Sequence, residues 1–196
     1  MDFMASLSND DKVILVGHSY GGIPISFAME NYPTKISAAV FVTAYMPNCI
    51  DPPATLIQES FNRSSTSFMD CEFTFDQSPE NRPISAMFGP DFMAAKLYQD
   101  CPQEDLELAK MLIRPNSFFM EELGKKSLLS QEKYGKIKRY YIVCEDDKVM
   151  DKGFQRYNIE KSPPEDEISI AGAAHMVMLS KPQELCTCLM GLAEKC

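Results

Sequence analysis

Apolar residues gather in four runs along the chain, separated by stretches rich in turn-forming and charged residues. Val13-Ile14-Leu15-Val16 is the first, "ISAAVFVTAYMP" at 36–47 the second, "IKRYYIVC" at 137–144 the third and "DEISIAG" at 166–172 the fourth. Short β-branched and aliphatic runs of this kind are how strands covered on both faces read. The first predicts a strand at 13–17 and leads into "IPISFAMENY", a helix expected over 22–31 with Pro24 in the tolerated first turn. Pro47 is expected to end the second strand. "SKPQELCTCLMGLAEKC" reads as an amphipathic helix with Ser180 as N-cap and Pro182 in its first turn. Strands alternating with helical segments predict a parallel sheet covered on both faces, the α/β class.

Between 48 and 130 the pattern changes. Prolines punctuate short helical stretches such as "PDFMAAKLYQD" and "PQEDLELAKMLI". An insertion of this kind between strands is expected to form a helical cap over an active site. Met69, Met87, Met93, Met111 and Met120 within it read in two ways, as an adaptable apolar pocket lining or as ordinary core. The whole, 1–196, has the length of a single domain.

Chemistry enters at the end of the first run. Gly17-His18-Ser19-Tyr20-Gly21 follows the strand, and Gly22 opens the helix. A serine held by small neighbours at a sharp strand-to-helix turn has its hydroxyl exposed at the top of the sheet, as in a nucleophile elbow. A helix-capping serine in a glycine-rich turn is the plainer alternative. A serine nucleophile needs a base, and the sequence holds two histidines, His18 and His175. His18 precedes the serine within the turn, where successive side chains diverge, so His175 is the expected base. Ser19 follows strand one, "EDDK" at 145–148 follows strand three, and His175 follows strand four. Functional residues of parallel sheets gather beyond such strand ends. The order Ser…Asp/Glu…His is that of the α/β hydrolases. Asp147 is the favoured acid, and Asp146 remains an alternative.

Composition narrows the partners. A net charge of −9 argues against nucleic acid or an anionic membrane. "MDFMASLSNDDK" lacks the basic start and apolar core of a secretory signal, and no apolar run approaches membrane-spanning length. Seven scattered cysteines, an odd number without C-x-x-C spacing, suggest mostly buried thiols in a reducing cytoplasmic setting. Two histidines without clustered cysteines leave no zinc site, and neither metal nor cofactor is expected.

"VILVGHSYGG", "AMENYPTKISAAVFVTAYMP", "FGPDFMAAKLYQ", "EDLELAKMLIRP", "YIVCEDDK" and "AHMVMLSKPQ" together resemble the plant methylesterases of the α/β-hydrolase superfamily. That group includes methyl salicylate, methyl jasmonate and methyl indole-acetate esterases and polyneuridine aldehyde esterase, with hydroxynitrile lyases as relatives. The resemblance implies hydrolysis of a small methyl ester, with Ser19 as nucleophile, Asp147 as orienting acid, His175 as base and the Tyr20 backbone N–H as an oxyanion donor. It also implies a longer front segment than the 18 residues that precede Ser19, including a loop carrying the other oxyanion donor. On that reading the chain is the C-terminal portion of the fold, starting at an internal methionine. "VILV" would then lie at an exposed edge, and the chain is expected to be poorly soluble or self-associating, a homodimer included, and nearly inactive. Ala174 stands where the family usually has an acidic residue. Met176 stands where the lyases have a lysine, which argues against the lyase alternative. A ligand-binding member without turnover is a further alternative.

Overall fold

The four apolar runs become the strands of one parallel sheet. The computed structural model describes residues 1–8, 10–63, 68–77, 83–126 and 128–196. A short helix α1 (Asp2–Ser6) precedes β1 (Val13–Ser19), and α2 (Gly22–Asn31) leads to β2 (Ile36–Ala44). Next come α3 (Ala54–Arg63), β3 (Glu72–Phe75), β4 (Pro83–Met87) and α4 (Pro90–Phe92), which runs into a π-helical stretch at Met93–Leu97. Helix α5 (Gln103–Leu112), β5 (Asn116–Ser117) and α6 (Met120–Leu123) follow. The chain then returns to the sheet with β6 (Lys138–Cys144), α7 (Lys152–Lys161), β7 (Asp166–Ile170), α8 (Val177–Ser180) and α9 (Pro182–Ala193).

The strand order is β1-β2-β6-β7, with every pairing parallel. β2 lies inside the sheet, and all of it except Ser37 is buried, which is why its sequence reads as a continuous apolar run. Its alternate residues feed two cores. Ala39 and Phe41 pack with Met29 of α2, Tyr134 and Tyr141 on one face. Ala38, Val40 and Val42 pack with Ile142, Ile170 and Leu192 of α9 on the other. Among the described residues β1 pairs on one side alone, with β2, and Val16 at its middle is 48% exposed.

Several expectations need correction. The second strand ends at Ala44 rather than at Pro47, and the fourth ends at Ile170. Ser180 does not cap the C-terminal helix. Residues 177–180 form their own turn, α8, so Lys181 takes the N-cap position, although Pro182 does sit in the first turn of α9. The segment between β2 and β6 is not helical alone: β3, β4 and β5 form a small antiparallel sheet. The thiols are all free, but only Cys144 is buried. Cys186 and Cys196 are exposed, the first because α9 covers the sheet with a narrow stripe and turns the rest of its surface outward, the second because it lies beyond that helix. Among the described residues no helix is long and apolar enough to cross a membrane.

Helix α7 was not marked by the hydrophobic pattern, since it buries Gln155 and Asn158 beside Phe154. Both amides bind backbone. Gln155 Nε2 donates to the carbonyls of Cys144 and Met150 at 2.8 and 2.7 Å, and its Oε1 accepts from Cys144 N–H at 2.9 Å. Asn158 Oδ1 accepts from Met46 N–H at 3.0 Å. The loop after β6 and the chain leaving β2 are thereby fixed to one helix. That matters because both carry groups of the site.

Candidate active site

Ser19 ends β1 with a φ of 54°, in the left-handed region that side chains rarely adopt. The turn closes only because of its small neighbours. A Cβ on Gly17 would lie 2.8 Å from the Gly21 carbonyl oxygen, and Gly21 N–H donates to the His18 carbonyl at 2.8 Å. α2 starts directly behind the serine, the strand-turn-helix setting expected of a nucleophile elbow.

Of the acids in "EDDK", one reaches the histidine. Asp147 is 4% exposed, and its Oδ2 lies 2.8 Å from His175 Nδ1. Asp146 is exposed, and Glu145 pairs with Lys152 at 2.9 Å. Asp147 Oδ1 accepts from the N–H groups of Val149 and Met150 at 2.7 and 2.9 Å. Its Oδ2 also accepts from the Thr43 hydroxyl at 2.6 Å. Burial pushes this carboxyl up, but the His175 imidazole and the donors from His175, Thr43 and Val149 outweigh it and hold it below its ordinary value. An ionised carboxylate only accepts, so His175 carries a proton on Nδ1 and turns Nε2 toward the serine. Ser19 Oγ lies 3.1 Å from that Nε2. Serine hydroxyl, imidazole and carboxylate thus stand in line, an arrangement able to take the serine proton and stabilise the imidazolium that forms. His175 is 1% exposed, and Ala174 before it is fully buried.

The other histidine has its own place. His18 Nε2 lies 2.8 Å from the His175 carbonyl oxygen, and the ring centroids are 4.8 Å apart. The carbonyl accepts, so His18 is an Nε2–H donor. Burial, reinforced by the neighbouring His175, pushes the His18 imidazole from 6.5 down to about 4. The fold therefore favours neutral His18. Its contribution is complete above pH 6.5, fades as the unfolded chain takes up the proton, and is lost once pH falls through about 4. A displacement of that size amounts to roughly 3 kcal/mol. His18→Gln keeps a donor but cannot titrate. Urea unfolding midpoints of the two proteins are expected to diverge across that window, with the parent losing more stability on acidification. Parallel pH curves would show that His18 is not held neutral.

Ser19 opens onto a cavity of about 140 Å³. Tyr20, Tyr45, Phe61, Phe73, Phe118 and Met150 form much of its wall. Phe61 meets Phe118 edge-on at 5.3 Å and Phe73 at 5.9 Å, so rings from α3, β3 and the turn after β5 brace one another. The wall is not built from the methionines of the cap. Met93 and Met120 are buried elsewhere, and Met69, Met87 and Met111 face outward. Phenylalanines scattered over some sixty residues of chain carry no period that would have marked them.

Residues 1–182 match the model of a family described as the alpha/beta hydrolase fold. Methylesterase 10 of Arabidopsis thaliana is 47% identical over 196 residues, covering all of this chain and 71% of that protein. Salicylic acid-binding protein 2 of Nicotiana tabacum is 46% identical, covering all of this chain and 75% of that one. Among solved structures, polyneuridine aldehyde esterase superposes with a TM-score of 0.87 at 44% identity, covering 98% of this chain and 76% of that one.

Proposed function

The chain belongs to the plant methylesterase family of the α/β hydrolases, and on that premise we propose that it is a serine carboxylesterase acting on methyl esters of small acids. What supports this reading is the line from Ser19, which opens onto an aromatic cavity, through His175 to Asp147 buried behind it. In the proposed reaction His175 Nε2 takes the Ser19 proton as the oxygen attacks the ester carbonyl. The Tyr20 backbone N–H faces the developing oxyanion. Collapse of the tetrahedral intermediate returns the proton to the leaving methoxide, and methanol departs. Water, deprotonated by the same nitrogen, then releases the acid and restores Ser19.

The cavity sets the acyl group. Its volume, about 140 Å³, is close to the ~150 Å³ of an apolar cavity that binds one benzene ring. Methyl esters of single-ring aromatic acids, of which methyl salicylate is the type, are therefore favoured over longer lipid-derived esters such as methyl jasmonate. Free thiols throughout suit a reducing cytoplasm. A hydroxynitrile lyase is not favoured: Met176, beside His175, offers no charge to stabilise cyanide.

A fluorophosphonate probe tests the reading. Attack by Ser19 Oγ on phosphorus, with fluoride leaving, is expected to add one phosphonyl group at Ser19 and to block methanol release from methyl salicylate. Ser19→Ala is expected to take no label. A chain that is unlabelled at Ser19 and releases no methanol from methyl benzoate, salicylate, indole-acetate or jasmonate would overturn it.

A further inference from the structure

We propose that Thr43 is a positioning residue for ester hydrolysis, its hydroxyl delivered by a bulge at the end of β2 to lock the carboxylate that orients His175. The role rests on the esterase reading above. The geometry behind it stands apart from any turnover.

The alternation along β2 shows what the bulge does. Ala38, Val40 and Val42 face one core, and Ala39 and Phe41 face the other. A regular strand would send Thr43 with Phe41 and Ala44 with Val42. Instead Ala44 joins the core of Phe41. The pairing with β1 shows why: His18 is opposite Val42 and Ser19 is opposite Ala44, so Thr43 is the extra residue. Bulges beside active sites re-aim side chains in this way. Thr43 also has a φ of 36°, which a β-branched residue adopts only under strain. Glycine or asparagine would take that conformation more easily. The strain persists because the surroundings hold it. The Tyr141 hydroxyl accepts from Ala44 N–H at 3.1 Å and donates to the Ala44 carbonyl at 2.9 Å, satisfying backbone groups that the bulge takes out of the ladder. Tyr45 N–H then rejoins β1 by donating to the Ser19 carbonyl at 3.1 Å.

Thus supported, the fully buried Thr43 points its hydroxyl at Asp147 Oδ2, 2.6 Å away. This is the oxygen that receives His175 Nδ1–H, while the other oxygen is held by two backbone N–H groups. With four donors the carboxylate cannot rotate. A short hydroxyl-to-carboxylate bond is among the stronger hydrogen bonds available. Without it Oδ2 keeps His175 as its single partner in a buried site, and the two N–H groups on Oδ1 alone are left to set the carboxylate plane against the imidazole.

Thr43→Val keeps the branched shape and removes the hydroxyl. It is expected to lower kcat for methyl ester hydrolysis by about ten- to a hundredfold. KM should be unchanged, because Thr43 is not part of the cavity wall. Thr43→Ser is expected to restore most of kcat. Independently of turnover, the downfield proton resonance of His175 Nδ1–H is expected to move in Thr43→Val and to return in Thr43→Ser. If the parent hydrolyses no ester, the esterase reading fails while the resonance still tests the link from Thr43 to His175. Should Thr43→Val fail to fold, Thr43→Ala supplies the same comparison without the branched methyls. An unchanged kcat with an unchanged resonance in a folded hydroxyl-free variant would overturn the proposal, as would a Thr43→Ser as impaired as Thr43→Val.

Discussion

His175→Ala is expected to reduce ester turnover by roughly 10⁵–10⁶-fold, about as much as Ser19→Ala, with Asp147→Asn close to 10⁴-fold. The ordering follows from the work each group is placed to do. Without His175 nothing takes the proton from Ser19, because His18 is committed to the His175 carbonyl by its own Nε2–H. Without the Asp147 carboxylate the imidazole is still present, but its Nδ1–H loses the acceptor that fixes the tautomer. Groups that act as a unit are not additive. Ser19→Ala combined with His175→Ala should therefore cost no more than either alone. KM should change little in the histidine variant, since on the proposed function the acyl group rests against the aromatic wall, which His175 does not line. Methanol release under saturating ester, measured for the single and double variants, checks all of this. Losses that multiply in the double variant would mean that Ser19 and His175 act in separate steps.

Gly22→Ala is expected to destabilise the fold by about 3 kcal/mol or more, above the usual span for overpacking. A Cβ at Gly22 would fall 2.0 Å from the Tyr45 carbonyl oxygen and 2.9 Å from its carbon. Those are backbone atoms, and no rotamer change can move them away. The end of β2 carries the bulge, and Tyr45 just beyond it carries the bond to Ser19. Relieving the clash therefore separates the start of α2 from the end of β2, and the elbow moves with it. Gly191 is the control. It lies in α9, and a Cβ there meets nothing within 4 Å. Gly191→Ala should stabilise by roughly 0.5–1 kcal/mol through helix propensity. Urea unfolding followed by circular dichroism separates the two, and equal midpoints would mean that β2 yields more readily than its contacts indicate.

The sheet was legible because strands buried on both faces cannot hide their composition. The runs at 13–16 and 36–44 and the apolar part of "IKRYYIVC" each lie where the pattern placed them. Ser19 and His175 stood out by context and by scarcity. Asp147 could not be separated from Asp146 by residue type, since both acids leave the same strand end. Position along the turn decides between them, and it is fixed by Gln155, a polar residue that hydrophobic periodicity cannot flag. The bulge at Thr43 was invisible for a related reason. "AVFVTAY" reads equally well as regular strand, and the extra residue shows only in its pairing with β1. β3, β4 and β5 escaped notice because they are two to five residues long, too short for an alternation such as Glu72-Phe73-Thr74-Phe75 to stand out, with Pro83 opening the middle one.

The wall of the cavity and the line from Ser19 to Asp147 come from different stretches of chain. Ser19, Asp147 and His175 sit at the ends of β1, β6 and β7, while Phe61, Phe73 and Phe118 belong to the segment inserted between β2 and β6. The first three side chains are held by sheet hydrogen bonds and buried turns, and the wall by rings leaning on one another. A replacement among those rings reshapes the room beside Ser19 without touching a ladder, a bulge or the carboxylate. On the proposed function, such a molecule can drift between acids of different shape by single steps, each leaving the line from Ser19 to Asp147 intact. Selection for a new ester would act on the rings and leave the strand ends alone.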